Sequence, residues 1–272
     1  MAWLIMEPVS FRSRLHSGTP LVGTWIKTPS RIVTEVLAGS TLDVLCLDAE
    51  HAPFDRGDLD GSIFAGSALG MPVLVRPVAA SAETLLNCLD LGATGIVAPH
   101  IRSAEDADRL VQSSLFGPGG RGYAGSTRAA GFTRRSMAEH RQRSAEDTVI
   151  IAQIEDREAV DCLSDIIRIE RLDCLFIGRV DLTISMGAAS PKDPQVVEAV
   201  EEICRRAAEG GMRTGMFVSD LAELPGWLEM GSSLFLLSSD QTFLQEGARD
   251  LRSAFDASAS KGIATISREL KS

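Results

Sequence analysis

Short, almost wholly apolar runs alternate along this chain with longer stretches whose apolar residues recur three and four positions apart. Runs such as LDVLCLD (42–48), PVLVRP (72–77) and VIIAQIE (149–155) offer no polar face, which suits strands buried on both sides. The stretches between them carry helix punctuation. In PSRIVTEVLAGS (29–40), Pro29 suits a first turn and Gly39 an end. Adding LVGTWI, TGIVAPH, LDCLFIG, RTGMFVS and SSLFLLSS, each with its amphipathic partner, makes eight strand–helix units. Doubly buried strands require a parallel sheet covered by helices. Eight units in 272 residues fit a closed α/β barrel of the (β/α)8 type, one domain over 1–272, better than an open doubly wound sheet. The open sheet loses further ground because the first unit has no GxGxxG turn. One more helix is expected at each end, from SFRSRLHSG (10–18) and KGIATISRELKS (261–272). The latter has too few apolar residues to pack alone and is expected to dock on a neighbour.

Composition narrows the function classes. The formal charge is −10, from 27 basic and 37 acidic residues, with no lysine or arginine run, which argues against a nucleic-acid or anionic-membrane surface. No segment approaches the ~20 apolar residues of a membrane helix, and MAWLIMEPVS lacks the basic flank and length of a signal peptide. A cytoplasmic protein is expected. The five cysteines are scattered, odd in number and without a CxxC pair, so they read as reduced core thiols rather than zinc ligands.

In a barrel the chemistry sits at the C-terminal ends of the strands. Those ends carry Lys27, then Asp48, Glu50 and His51, then Arg76, His100, Glu155 and, just beyond the sixth strand, Asp181. Each has an ordinary reading: a strand-end Asp caps helices or forms turns, and a lone histidine is more often structural. Their gathering on one rim is what points to chemistry. Glu155 and Asp181, on adjacent strands, suit an oxygen-loving divalent cation such as Mg2+ or Mn2+. With Arg76 and a histidine base nearby, such a site can stabilise an enolate while a proton moves. Asp48 or Asp90 could orient the base, although Asp90 falls late in a helix, where an acid opposes the dipole. A Schiff-base route has only Lys27 near a strand end. Ends reading FVSD and LLSSD lack the glycine-rich phosphate loops common after strands 7 and 8. The long interlude FGPGGRGYAGSTRAAGF (116–132) reads either as a surface loop or as a lid whose Arg121 or Arg128 meets substrate or a neighbouring subunit.

LDAEHAPFD, PVLVRP, LDLGATGIVAPHIRSAEDA, GPGGRGYAGSTRAAGF, IAQIEDREAV and DCLFIGRVDLTISMG, in this order, resemble the HpcH/HpaI family of metal-dependent pyruvate aldolases from about Gly23 to Gly187. The resemblance implies a barrel of the phosphoenolpyruvate/pyruvate type with a swapped C-terminal helix, assembled as a homo-oligomer, trimer or hexamer. It implies an aldehyde-lyase that cleaves a 4-hydroxy-2-oxo acid to pyruvate and an aldehyde. Carried over, Glu155 of QIED and Asp181 of GRVDL are ligands of Mg2+, Mn2+ or Co2+. His51 of EHAP is the acid–base residue acting with a water on the metal, Arg76 of VRP holds the pyruvate oxygen, and Asp48 and Asp90 match acids that orient the histidine and its neighbours. Backbone amides from Gly178 to Asp181 would take the substrate carboxylate. Arg179 and Val180 depart from the Pro and small residue many members carry, and His100 stands where Gln or Met is common, so Arg179 either recognises the aldehyde half or pairs with an acid. The competing readings are a CoA-ester lyase of the citrate lyase β-subunit or malyl-CoA lyase type, an oxaloacetate decarboxylase, and a non-catalytic barrel binding small acids.

Overall fold

The computed structural model describes residues 9–269. Eight parallel strands close into a barrel in sequence order: β1 (Leu21–Ile26), β2 (Val44–Asp48), β3 (Val73–Arg76), β4 (Gly95–Ala98), β5 (Val149–Ile154), β6 (Cys174–Ile177), β7 (Arg213–Met216) and β8 (Ser232–Ser239), with β8 pairing back to β1. Every run read as a strand is one, because each is buried on both faces.

The two faces have different partners. One set of alternate residues, including Trp25, Val44, Cys46, Leu74, Val149, Ile151, Cys174 and Phe176, fills the barrel's interior. The other set, including Leu45, Leu47, Val73, Val75, Ile150 and Ile154, packs against the surrounding helices. This period of two decides where polar strand-end residues go. Asp48 continues the interior series of Val44 and Cys46, Arg76 continues that of Leu74, and Gln153 that of Val149 and Ile151.

Helix α1 (Phe11–Ser17) precedes β1 and closes the barrel's N-terminal end, its Phe11 and Leu15 joining the interior cluster. In sequence order follow α2 (Arg31–Ala38), α3 (Arg56–Ala68), α4 (Ala82–Asp90), α5 (Ala104–Ser114), α6 (Met137–Asp147), α7 (Arg157–Asp161), α8 (Leu163–Ile167), α9 (Arg179–Ser185), α10 (Pro194–Glu209), α11 (Leu224–Glu229) and α12 (Asp240–Glu269). Pro29 lies before the N-cap Ser30 of α2 rather than inside its first turn, while Gly39 is the C-cap as read. Among the described residues the expected C-terminal helix is not separate, its last three positions (270–272) lying outside them: α12 runs unbroken from Asp240 to Glu269, since its Ala- and Ser-rich middle contains no proline to stop it. Among the described residues no helix is long and apolar enough to cross a membrane.

Candidate active site

The C-terminal rim holds a cavity of about 420 Å³. Trp25 and Phe176, edge to face with centroids 5.7 Å apart, contribute apolar wall, and Lys27, His51, Arg76, Gln153, Gly178, Val180 and Asp181 supply polar atoms or backbone around it.

Strand register builds its centre. Asp48 and Arg76 are partnered residues of β2 and β3 and share the inward face. Arg76 donates through Nε to Asp48 Oδ1 (3.0 Å), its Nη2 lies 2.8 Å from the same oxygen, and its Nε also lies 3.2 Å from Glu50 Oε2. The guanidinium stacks 4.3 Å over the Trp25 ring. Held along its Nε–Nη2 edge and on one face, Arg76 has little freedom left. Lys27 Nζ lies 3.5 Å from the other Asp48 oxygen, so this lysine serves Asp48. Asp48 itself is fully buried and accepts the backbone N–H of His51. It therefore shapes the turn that presents His51 but does not touch the imidazole, whose Nε2 lies nearest Glu50, at 3.6 Å. The His51 ring is half exposed at the mouth.

Glu155 follows β5 and is buried. Its Oε1 accepts the His100 N–H at 2.8 Å and its Oε2 accepts from Gln153 Nε2. Gly178, where β6 turns into α9, passes directly over it: a Cβ there would lie 2.7 Å from Glu155 Oε2. Only glycine lets the chain cross so close. Asp181 sits in the first turn of α9 and, with Val180, lines the same cavity.

The rim is rich in acids. Burial pushes the Glu50 carboxyl up, the Glu155 charge adds to this, and Arg76 opposes it. Burial lowers His100, but its hydrogen bond to Asp156 and the charges of Glu155, Asp156 and Glu50 outweigh that and raise it. Asp48 Oδ2, Glu50 Oε2 and Gln153 Oε1 are buried acceptors without a hydrogen-bond donor. One donor atom each from Glu50, His100 and Glu155 lies within 4.8 Å of the others. A buried carboxylate, two more acids and a surplus of acceptors over donors are what a divalent cation requires.

Several predicted residues lie elsewhere in the chain. Asp90 ends α4, away from this cavity; burial raises its carboxyl while Arg121 and Arg56 oppose the rise. Within one chain it does not orient His51, because a helix that starts at the C-terminal rim ends at the opposite one. Arg121 and Arg128 also lie at the N-terminal side, in a groove lined by Thr94 and Thr148, the residues just before β4 and β5. The interlude is thus no lid over its own chain's cavity, since it joins the end of α5 to α6, which precedes the N-terminal end of β5. Arg121 stacks on Phe116 and donates to Ser144, and Arg128 pairs with Asp60 at 2.7 Å. Burial lowers Arg121 to about 10. Arg179 turns away from the cavity, binding Glu223 at 2.7 Å and facing Trp227, which is the acid-pairing alternative.

Glu50 and His100 were visible at strand ends without an assigned role. Gln153 was missed, although an amide inside an otherwise apolar strand was a usable signal, since a buried amide must find partners.

The chain matches the pattern of the HpcH/HpaI aldolase/citrate lyase family over residues 21–246. It is 31% identical over 251 residues to a hydroxypyruvate/pyruvate aldolase of Pseudomonas aeruginosa, covering 92% of this chain and 93% of that one. It is 29% identical over 251 residues to a 4-hydroxy-2-oxo-heptane-1,7-dioate aldolase of Escherichia coli, covering 92% and 96%. A crystal structure of a HpcH/HpaI aldolase/citrate lyase family protein from Burkholderia cenocepacia superposes with a TM-score of 0.85 at 31% identity, over 90% of this chain and 98% of the other. With the barrel, the rim and these relatives in agreement, the chain belongs to the HpcH/HpaI aldolase/citrate lyase family.

Proposed function

We propose that this protein is a metal-dependent aldolase that reversibly cleaves a 4-hydroxy-2-oxo acid to pyruvate and an aldehyde. The observation carrying this reading is the register pair Asp48–Arg76, which aims a fixed guanidinium into a cavity bordered by Glu155 and Asp181. Both relatives named above are aldolases of small oxo acids.

The donor set fits a divalent cation. Glu155 and Asp181 would hold it, with Mg2+, Mn2+ and Co2+ all compatible with carboxylate ligands. The cation supplies electrostatic stabilisation to the negative charge that develops on the substrate's C2 oxygen. Arg76 directs N–H groups at that same oxygen, and its ties to Asp48 and Glu50 mean no reorganisation is needed as charge builds. His51, exposed at the mouth, takes the proton from the C4 hydroxyl during cleavage and returns one during condensation. Trp25 and Phe176 form the apolar wall beside the C3 carbon. Backbone amides from Gly178 through Arg179 and Val180 to Asp181 complete the side facing the substrate carboxylate, while the Arg179 side chain is engaged by Glu223.

The same reading includes a homo-oligomer, a trimer or a hexamer, in which Leu244, Leu251 and Phe255 of α12, exposed in one chain, are covered by a partner. Five unpaired cysteines accord with a reducing cytoplasm.

Pyruvate release from a panel of 4-hydroxy-2-oxo acids, with EDTA and with Mg2+, Mn2+ or Co2+ restored, tests the activity. Release that stops with EDTA and returns with metal is expected. A folded protein releasing no pyruvate with any metal would refute the reading and turn attention to CoA esters.

A further inference from the structure

The cation reading leaves one side chain at the rim without a task. His100, two residues beyond the end of β4, has a left-handed backbone conformation, φ +54°, which a non-glycine residue keeps only when its surroundings hold it there. Glu155 holds it, through the hydrogen bond from the His100 N–H to Oε1. The unusual backbone therefore exists in contact with the buried carboxylate most central to the site.

The ring is held as firmly as the backbone. Its Nδ1 lies 3.0 Å from Asp156 Oδ2 and 3.4 Å from Glu155 Oε1, and the same Asp156 oxygen is held by Arg102 Nε at 3.1 Å. A carboxylate on Nδ1 leaves the lone pair on Nε2, the arrangement by which proteins orient a metal-binding histidine. Nε2 in turn faces Glu50 Oε1 at 3.7 Å. Two donors each about 2.1 Å from a shared ion lie about 3–4 Å apart, so that spacing suits a common ligand. Glu50 turns its other oxygen to Arg76, leaving Oε1 available. The grouping of Glu50, His100 and Glu155 within 4.8 Å is then a donor set with an oriented imidazole at one corner.

We infer that His100 is a further direct ligand, through Nε2, of the divalent cation that Glu155 and Asp181 hold, on the side of the site where Glu50 lies, and that it biases the site toward Mn2+ or Co2+ over Mg2+. Magnesium prefers an all-oxygen shell, whereas an imidazole nitrogen is well suited to the later first-row ions. The inference rests on the cation reading of the site and adds to it a nitrogen donor. The competing role is electrostatic: His100 as an imidazolium donating to Asp156 and Glu50 with no ion bound to it.

Pulsed EPR of the Mn2+-loaded full-length protein separates the two. Directly bound imidazole is expected to give 14N modulation, which changes to the 15N pattern when the protein carries 15N-histidine. That comparison needs no variant. The modulation should vanish in His100→Gln and persist in His51→Gln, and the ratio of Co2+ to Mg2+ affinity should fall about tenfold or more in His100→Gln. Bound Mn2+ without histidine nitrogen modulation, or modulation that survives in His100→Gln, would overturn the inference while leaving the aldolase reading intact. No Mn2+ binding by folded wild-type protein would overturn both.

Discussion

The two ends of this barrel each bury acidic groups, and Asp173 at one end contrasts with the cluster of Asp48 and Glu50 at the other. At the N-terminal end Asp173, immediately before β6, is fully provided for. Oδ2 accepts the Ile150 N–H at 2.9 Å, and Oδ1 meets Arg12 Nε at 2.7 Å and His16 Nε2 at 2.8 Å, with Arg171 at 3.5 Å. At the C-terminal end Asp48, Glu50 and Gln153 each keep a buried acceptor without a donor. A carboxylate with every lone pair engaged is a structural fastening. Acceptors left over cost stability unless something arrives to meet them. The N-terminal end also keeps unmet atoms, but Arg121 Nε, Arg128 Nε and Arg171 Nη1 among them are donors, whereas Asp48 Oδ2, Glu50 Oε2 and Gln153 Oε1 are acceptors. The comparison teaches that it is a gathering of unmet acceptors at the C-terminal end that suits a cation and its chemistry.

Exchanging side chains at each end should separate the two roles. The largest effect is expected for Arg76→Lys, which keeps the charge but loses the planar fork aimed at the C2 oxygen. Turnover should fall about 10²–10³-fold while the denaturation midpoint moves little; steady-state kinetics beside a urea titration would show it. Near-normal turnover would remove Arg76 from the site. Asp173→Asn should do the reverse. It leaves Arg12 and Arg171 short of their counter-charge, and because both are about one-quarter exposed the loss should be about 2–3 kcal/mol. Turnover per folded molecule should be unchanged. A large kinetic effect without loss of stability would erase the distinction between the ends.

The smallest effect concerns acid. Burial, reinforced by Arg121 and Arg135, holds His140 below the ordinary imidazole range. As pH falls the unfolded chain takes up this proton first, so the group's contribution to stability is complete above about pH 6.5 and is lost as pH drops toward the folded pKa. His140 packs edge to face on Phe116 at 5.1 Å, a contact that phenylalanine can imitate. His140→Phe should therefore flatten the fall in urea midpoint between pH 7 and 5 without changing turnover. An unchanged slope would show that other groups govern acid sensitivity at this end.

Legibility in the sequence followed the same division. All eight strands could be read because double burial leaves an unbroken apolar run, and the rim acids could be read because each follows such a run. Asp90, Arg121 and Arg128 sit at the N-terminal end of this chain's own barrel for a reason also present in the pattern. A residue after a helix and before the next strand belongs to the N-terminal rim, and all three occupy such positions. The pairing of Arg179 with Glu223 joins residues 44 apart in different units, and nothing local announces it.

What the amino-acid order settled by itself was the number of strands, their alternation with helices and which residues end each strand, since periodicity and caps are local properties. What tertiary structure decided was which of those ends meet. Closing the sheet put Arg76 beside Asp48, turned β4 so that His100 faces Glu155 and Glu50, and sent Arg179 to Glu223. Strand register and the direction of a side chain at a turn depend on what packs across the barrel. Those partners lie tens of residues away, and only the closed barrel brings them into contact.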